Sequence, residues 1–219
     1  MNPQVLNPKN RFITRKQMAF KKLQETLIEN LTAAGYTDFL PEQKLLFSKI
    51  REGKNLVVLT EGGKGLSSLF LMTALHKVPE PEEGSPRVVI ICATDDEAQE
   101  RYEDLKKWSR HMDLTIDLAH ERGKQIQQRN DIFDGTEIVI GTTKRIYDLY
   151  IQSGLNLNLL RLFIIDDANQ TLIKNNPGFL ARFADSLPKC QILIGAKSYN
   201  EKLEAFCEQI PFGFTKVKM

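Results

Sequence analysis

Lys64 stands in the run TEGGKGLS (residues 60–67), flanked by Gly62, Gly63 and Gly65 and followed by Ser67. Glycines let backbone N–H groups close on phosphate oxygens, a lysine brings charge to the outer phosphates, and a Ser or Thr hydroxyl reaches Mg²⁺. A second run, FIIDDAN (residues 163–169), ends an apolar stretch in Asp166 and Asp167. In a nucleotide-splitting site, the first such carboxylate holds Mg²⁺ through water and the second polarises the attacking water. A third run, IVIGTTKR (residues 138–145), brings Thr142, Thr143, Lys144 and Arg145 to the end of an apolar stretch, a good place to hold a sugar-phosphate backbone. Each run also has a plainer reading. A Gly-rich turn alone is weak evidence, an Asp after a strand commonly caps the next helix, and TTKR can be a capped helix start. Their joint occurrence, each at the end of an apolar run, outweighs any one of them.

Those three runs need a scaffold that brings apolar-run ends together. Apolar stretches at residues 56–59, 88–92, 114–118, 138–140, 162–165 and 191–194 alternate with segments of helical spacing. The helical segments are residues 66–76, 95–111, 124–133, 144–151 and 177–186, with 201–209 at the end. Residues 16–34 also carry helical spacing, through Phe20, Leu23, Leu27, Ile28 and Leu31 up to Gly35. Residues 41–51 read as another helix. Near-continuous apolar strands separated by helices predict an α/β fold of three layers, a mainly parallel sheet with helices on both faces. Ligands of such sheets bind outside the carboxyl ends of the strands, where all three runs fall. The segment PEPEEGSP (residues 79–86) reads as a surface loop, because the alternation continues through it.

Composition narrows the classes. Apolar content of 42% and charged content of 26% are ordinary for a globular chain, and the formal charge is +2. Lys9, Arg11, Arg15, Lys16, Lys21 and Lys22 precede the first acidic residue, Glu25. Residues 80–104 are instead rich in acids, set against Arg87 and Arg101. A basic arm beside an acidic belt suits polyanion contact at one end, or a solvated helix face. Cys92, Cys190 and Cys207 are odd in number, widely spaced and mostly within apolar runs, which predicts reduced thiols in the cytoplasm rather than a disulfide frame or structural metal. No apolar run reaches membrane-spanning length.

The order of these pieces resembles the first RecA-like domain of the DEAD-box RNA helicases over nearly the whole chain. GYTDFLPEQ (residues 35–43) resembles the family's adenine-reading Q motif, which makes Tyr36 and Gln43 nucleotide contacts beside Gly62, Gly63, Lys64, Gly65 and Ser67. TEGGKGLS stands where the P-loop should be, ATDDEAQE (residues 93–100) at the Pro-Thr-Arg-Glu-Leu motif, and Gly123 near the glycine-turn motif. TTKR replaces Thr-Pro-Gly-Arg, DDAN (residues 166–169) replaces Asp-Glu-Ala-Asp, and GAK (residues 195–197) replaces Ser-Ala-Thr. The resemblance implies ATP or ADP with Mg²⁺ held by Asp166, and single-stranded RNA or another nucleic acid touched by Thr94, Gly123, Thr142, Lys144 and Arg145. It also implies a second RecA-like domain, supplied in trans if not by this chain. The division it suggests is a basic helical extension over residues 1–34 and one RecA-like domain over residues 35–219.

The departures gather on the hydrolytic parts. Aligned without a gap from the preceding strand, Gly65 takes the lysine position and Leu66 the hydroxyl position. Deleting one residue restores Lys64 but leaves Gly65 at the hydroxyl; inserting one restores Ser67 but leaves Leu66 at the lysine. No register supplies both, and each missing charged hydrogen bond costs about one to two powers of ten. The register that keeps Lys64 is preferred, because it also matches the family's usual leucine with Leu66. Asp167 is one methylene shorter than the water-activating glutamate, and a displacement near 1 Å costs on the order of a hundredfold. Asn169 replaces an aspartate expected to face the second domain, while Gly195 and Lys197 lack the two hydroxyls of the coupling motif. Asp95 replaces an RNA-binding arginine.

The expectation is therefore a helicase-like RecA domain that binds RNA and ATP or ADP, with impaired or absent hydrolysis and no unwinding alone. One alternative is an ATP-binding half completed by a partner RecA-like domain. A second is a non-enzymatic scaffold that uses its charged surfaces for protein partners.

Overall fold

The computed structural model describes residues 20–82, 84–174, 182, 185–211 and 213–219. Its strands are β1 (Leu56–Leu59), β2 (Val88–Cys92), β3 (Ile116–Ala119), β4 (Ile138–Thr142), β5 (Leu162–Ile165), β6 (Gln191–Ala196) and β7 (Thr215–Lys218). They form one sheet in the order β3-β4-β2-β5-β6-β1-β7, with every pair parallel. The helices are α1 (Glu25–Ala33), α2 (Pro41–Ile50), α3 (Leu66–Lys77), α4 (Asp95–Trp108), α5 (Gln125–Asp134), α6 (Thr143–Ile151), α7 (Ala168–Lys174) and α8 (Glu201–Gln209).

Strand side chains alternate between two apolar cores, as the two-residue period of a strand requires. Leu56, Val58, Val88, Ile90, Ile138, Ile140, Leu162 and Ile164 face a cluster with Leu31, Phe47, Phe70 and Trp108, from α1 to α4. Val57, Val89, Ile91, Val139, Phe163 and Ile165 face the other, with Ile132, Ile146, Leu172 and Phe206 from α5 to α8. This is the predicted three-layer fold. Both cores sit behind the carboxyl ends of β1, β2, β5 and β6, so the loops leaving those strands start from fixed positions.

One local expectation differs from the structure, and two elements were not expected. The single helix expected over residues 16–34 is broken: Phe20–Lys22 forms a short 3₁₀ turn, and Gln24 is extended before α1 begins. Gln24 is held there by tertiary bonds. Its Nε2 donates to the carbonyls of Leu75 and His76 at 3.3 and 3.1 Å, and its Oε1 lies 2.9 Å from His76 Nδ1. These bonds reach the last turn of α3, where Leu75 O also accepts from Val78 N at 3.2 Å. Helix α7 and strand β7 had no expectation. The helix expected over residues 177–186 falls mostly outside the described residues, as do Lys9, Arg11, Arg15 and Lys16 of the basic arm. No described helix is long and apolar enough to cross a membrane.

Candidate functional site

A cleft of about 400 Å³ opens at the carboxyl ends of β1, β5 and β6. Tyr36, Gly62, Gly63, Lys64, Gly65, Ser67, Asp166 and Asp167 line it, so the structure brings the expected nucleotide and catalytic residues together. Tyr36 packs edge-on against Trp108, with ring centroids 5.2 Å apart. Gln43 lies beneath the loop rather than on the cleft wall, and is buried at 4% exposure. Its Oε1 accepts from Leu40 N at 2.8 Å and its Nε2 donates to Gly65 O at 2.7 Å. The side chain thus ties the start of α2 to the loop.

Gly65 is the residue before α3 and is left-handed, at φ 69° and ψ 31°. A Cβ there would come within 2.5 Å of Gln43 Nε2, so both conformation and contact demand glycine. Lys64 does not reach freely into the cleft. Its Nζ donates to Met219 O at 2.7 Å, beyond the end of β7. Ser67 sits in the first turn of α3 and lines the cleft. The loop therefore keeps both a lysine and a hydroxyl on the cleft lining, with the lysine's ammonium bound to Met219 O.

Asp166 directly follows β5, behind this loop. Its Oδ2 accepts from Arg101 Nε at 3.2 Å, and its Oδ1 is buried without a hydrogen-bond partner among the described residues. Burial pushes the Asp166 carboxyl above its ordinary range, against the pull of the nearby Ser67 hydroxyl and the Arg101 guanidinium. Burial pulls Arg101 down, but Asp166 and Glu100 outweigh it and the guanidinium is shifted upward. Desolvation prevails only at the carboxylate because it is the more deeply covered partner, with side chains 11% and 21% exposed.

Asp167 serves as the cap of α7. Oδ1 accepts from Gln170 N and Oδ2 from Gln170 Nε2, both at 3.0 Å, while Lys197 Nζ lies 3.9 Å away. Asn169 fastens the loop after β6: its Oδ1 accepts from Lys197 N at 2.6 Å and Ser198 N at 3.1 Å, and its Nδ2 donates to Ser198 O at 3.0 Å. Gly195, inside β6, has no space for a side chain. A Cβ would lie 2.4 Å from Asp166 O and 3.0 Å from a Leu66 methyl.

Mg²⁺ asks for several oxygen ligands in a strict octahedral shell and retains much of its water. Here one Asp166 oxygen faces a guanidinium, the other is sealed from solvent, Asp167 faces Gln170, and the residue before α3 is a glycine. With Arg101 placed on Asp166, the residues present do not fit the ion, although the Ser67 hydroxyl lies close by. Among the described residues, no group of three or more His, Cys, Asp or Glu side chains could hold a metal.

The expected nucleic-acid residues gather in the loops after β2, β3 and β4; the polar groups of Thr94, Thr142 and Arg145 are engaged or buried, while Lys144 is exposed. Thr94 Oγ1 caps α4 by accepting from Glu97 N at 3.2 Å. Thr142 is buried in register with Cys92. Arg145 is buried too, its guanidinium donating to Gly123 O, Glu121 O and Gln128 Oε1 at 3.1–3.2 Å. Lys144 pairs with Glu121 at 3.0 Å. Asp95, in place of a cation, accepts from the backbone N–H groups of Glu121 and Arg122 at 3.1 and 3.3 Å. The loop carrying Gly123 is therefore held by an internal carboxylate.

Sequence reasoning missed the α4 wall of the cleft. Glu97, Glu100, Arg101 and Asp104 all line it. Their spacing of three and four, directly after an apolar run, is the signal that one helix face points at the site.

A family model described as DEAD/DEAH box helicase matches residues 40–204. The chain belongs to the DEAD/DEAH box helicase family. An ATP-dependent RNA helicase RhlB from Pseudoalteromonas atlantica is 27% identical over 161 residues, 72% of this chain and 38% of the relative. ATP-dependent RNA helicase vasa from Drosophila melanogaster is 27% identical over 154 residues, 68% of this chain and 23% of vasa. Among solved structures, a DEAD box protein from Methanococcus jannaschii has a TM-score of 0.78 at 19% identity, covering 90% of this chain and 54% of that one. A hypothetical ATP-dependent RNA helicase from Sulfolobus tokodaii has a TM-score of 0.79 at 16% identity, covering 90% and 57%. The chain thus spans well under half of these curated DEAD/DEAH box relatives, and its fold is that of a DEAD-box RecA-like domain.

Proposed function

We propose that the chain binds ATP or ADP in the cleft and RNA at the Thr94–Arg145 face, and that it neither hydrolyses ATP at a helicase rate nor unwinds a duplex by itself. The observation that carries this reading is Asp167: each of its oxygens accepts from Gln170, which holds this carboxyl at the start of α7, one methylene short of the reach of the family's water-activating glutamate. Gly195 supports it, because the coupling hydroxyl expected at that position has no room beside Asp166 O. Nucleotide binding is supported by the grouping of Tyr36, the glycine loop and Ser67 around one cleft. The three free thiols, two of them buried, are in keeping with a cytoplasmic setting. A steady-state ATPase assay with single-stranded RNA tests the reading. The expected rate is at the protein-free background, and turnover near about one per second, the low end of ordinary enzymes, would overturn it.

A second reading is favoured by coverage: the match spans 54–57% of the two solved chains. In it, a second RecA-like domain completes the site, and turnover appears only when that domain is added.

A further inference from the structure

The cleft contains a cation in the place where the family's chemistry would put a metal. Arg101 projects from the middle of α4; its Nε donates to Asp166 Oδ2 at 3.2 Å and its Nη1 lies 3.1 Å from Glu100 Oε2. The side chain is 21% exposed, so its stem is covered while its head borders the cleft. A guanidinium carries five N–H donors, and these contacts engage two of them. The remainder are free for an acceptor entering past Gly62, Gly63 and Gly65.

We propose that Arg101 stands in for the divalent cation, so that the cleft takes a nucleoside di- or triphosphate through this guanidinium and the glycine loop with no help from Mg²⁺. The inference rests on the nucleotide reading above and specifies how that site neutralises phosphate. At Asp166 a hydrated dication would find one oxygen held by Arg101 and the other covered, and would meet a fixed positive charge beside them. Guanidinium needs no such shell: it is weakly hydrated and matches phosphate oxygens with paired N–H groups. One positive charge replaces two, and Glu97, Glu100 and Asp104 share the wall, so affinity is modest and diphosphate is not penalised for lacking a metal-bound outer phosphate.

Calorimetric titration of the chain with ADP and ATP, once in EDTA and once in millimolar Mg²⁺, tests this. The expected dissociation constants agree within a small factor in the two buffers. Arg101→Gln keeps a donor for Asp166 yet loses the charge, and weakens metal-free binding by about ten- to a hundredfold. Asp166→Asn provides an arm that does not depend on that variant folding. It leaves Arg101 in place and removes an anion from the cleft, so binding is retained or tightened. Tightening of wild-type binding by about tenfold or more on adding Mg²⁺, or loss of binding in Asp166→Asn, overturns the inference while the nucleotide reading stands. Absence of heat with either nucleotide in both buffers overturns both.

Discussion

Restoring the family's serine at Gly195 separates a missing hydroxyl from a missing space. In β6 the position where a Cβ would sit lies 2.4 Å from Asp166 O, 3.0 Å from Leu66 Cδ2 and 3.3 Å from Phe70 Cε2. The first of these is backbone, and Asp166 N is itself bonded to Ile91 O at 3.0 Å, so it does not yield as a side-chain tip does. Overpacking of this kind costs about 1–3 kcal/mol. Loss of glycine's freedom in the unfolded chain returns about 0.4–1 kcal/mol. The central values leave a net loss of about 1.3 kcal/mol, which at about 2–4 °C per kcal/mol for a chain of this size lowers the unfolding midpoint by roughly 3–5 °C. Because the β-carbon causes the collision, Gly195→Ala and Gly195→Ser should fall by similar amounts, and neither should gain ATP turnover. Thermal unfolding followed by circular dichroism gives the midpoints. A serine variant as stable as the wild type, or clearly more stable than the alanine one, would refute the steric argument.

Other consequences follow from the same wiring. Asn169→Asp restores the family's residue but replaces the amide that donates to Ser198 O with an acceptor, so it should cost about 1 kcal/mol in urea unfolding, whereas a site lacking only a charge would be unharmed. Gln43→Ala frees Leu40 N and Gly65 O; a loss of about 1–3 kcal/mol should accompany any loss of nucleotide affinity, and an unchanged midpoint would contradict its structural role. Asp95→Asn keeps an acceptor for the Glu121–Arg122 loop but removes one negative charge, and about 1 kcal/mol of relieved repulsion should tighten single-stranded RNA binding about fivefold in fluorescence anisotropy at low salt. Burial holds the half-buried Asp117 carboxyl above its ordinary range, with Thr136 pulling the other way. The folded state therefore favours its protonated form: that stabilisation is present at low pH and lost as pH rises through the folded value. Asp117→Asn should consequently be more stable than the wild type at pH 7, with the gap closing toward about pH 4.

The layered fold was legible because each core strand is an unbroken apolar run, as in Val88–Cys92 and Leu162–Ile165, buried from both faces. Strand β7 was not, because TKVK at the sheet edge is mostly exposed and lysine-bearing, the pattern that keeps an edge from pairing further. The break at Gln24 was invisible because it depends on carbonyls some fifty residues away. At the site, the loop, Asp166 and Asp167 were found by type and order, since glycine turns and strand-end acids leave local marks. What these groups bond to was not. Asn169 reads as a charge lost toward another domain, yet it ties the loop after β6; Lys64 reads as a phosphate ligand, yet its ammonium lies on Met219 O. Arg145 likewise reads as a backbone contact and is buried on Gly123 and Gln128. Partners distant in the chain decided each of these.

A cleft that holds nucleotide without splitting it separates binding from chemistry. The most direct measurement incubates excess protein with radiolabelled ATP and single-stranded RNA, and then determines bound nucleotide and released phosphate in one sample. ATP should be retained intact on the protein, with phosphate no higher than in a protein-free control. Phosphate release approaching about one per second, or no retained nucleotide at any protein concentration, would contradict it.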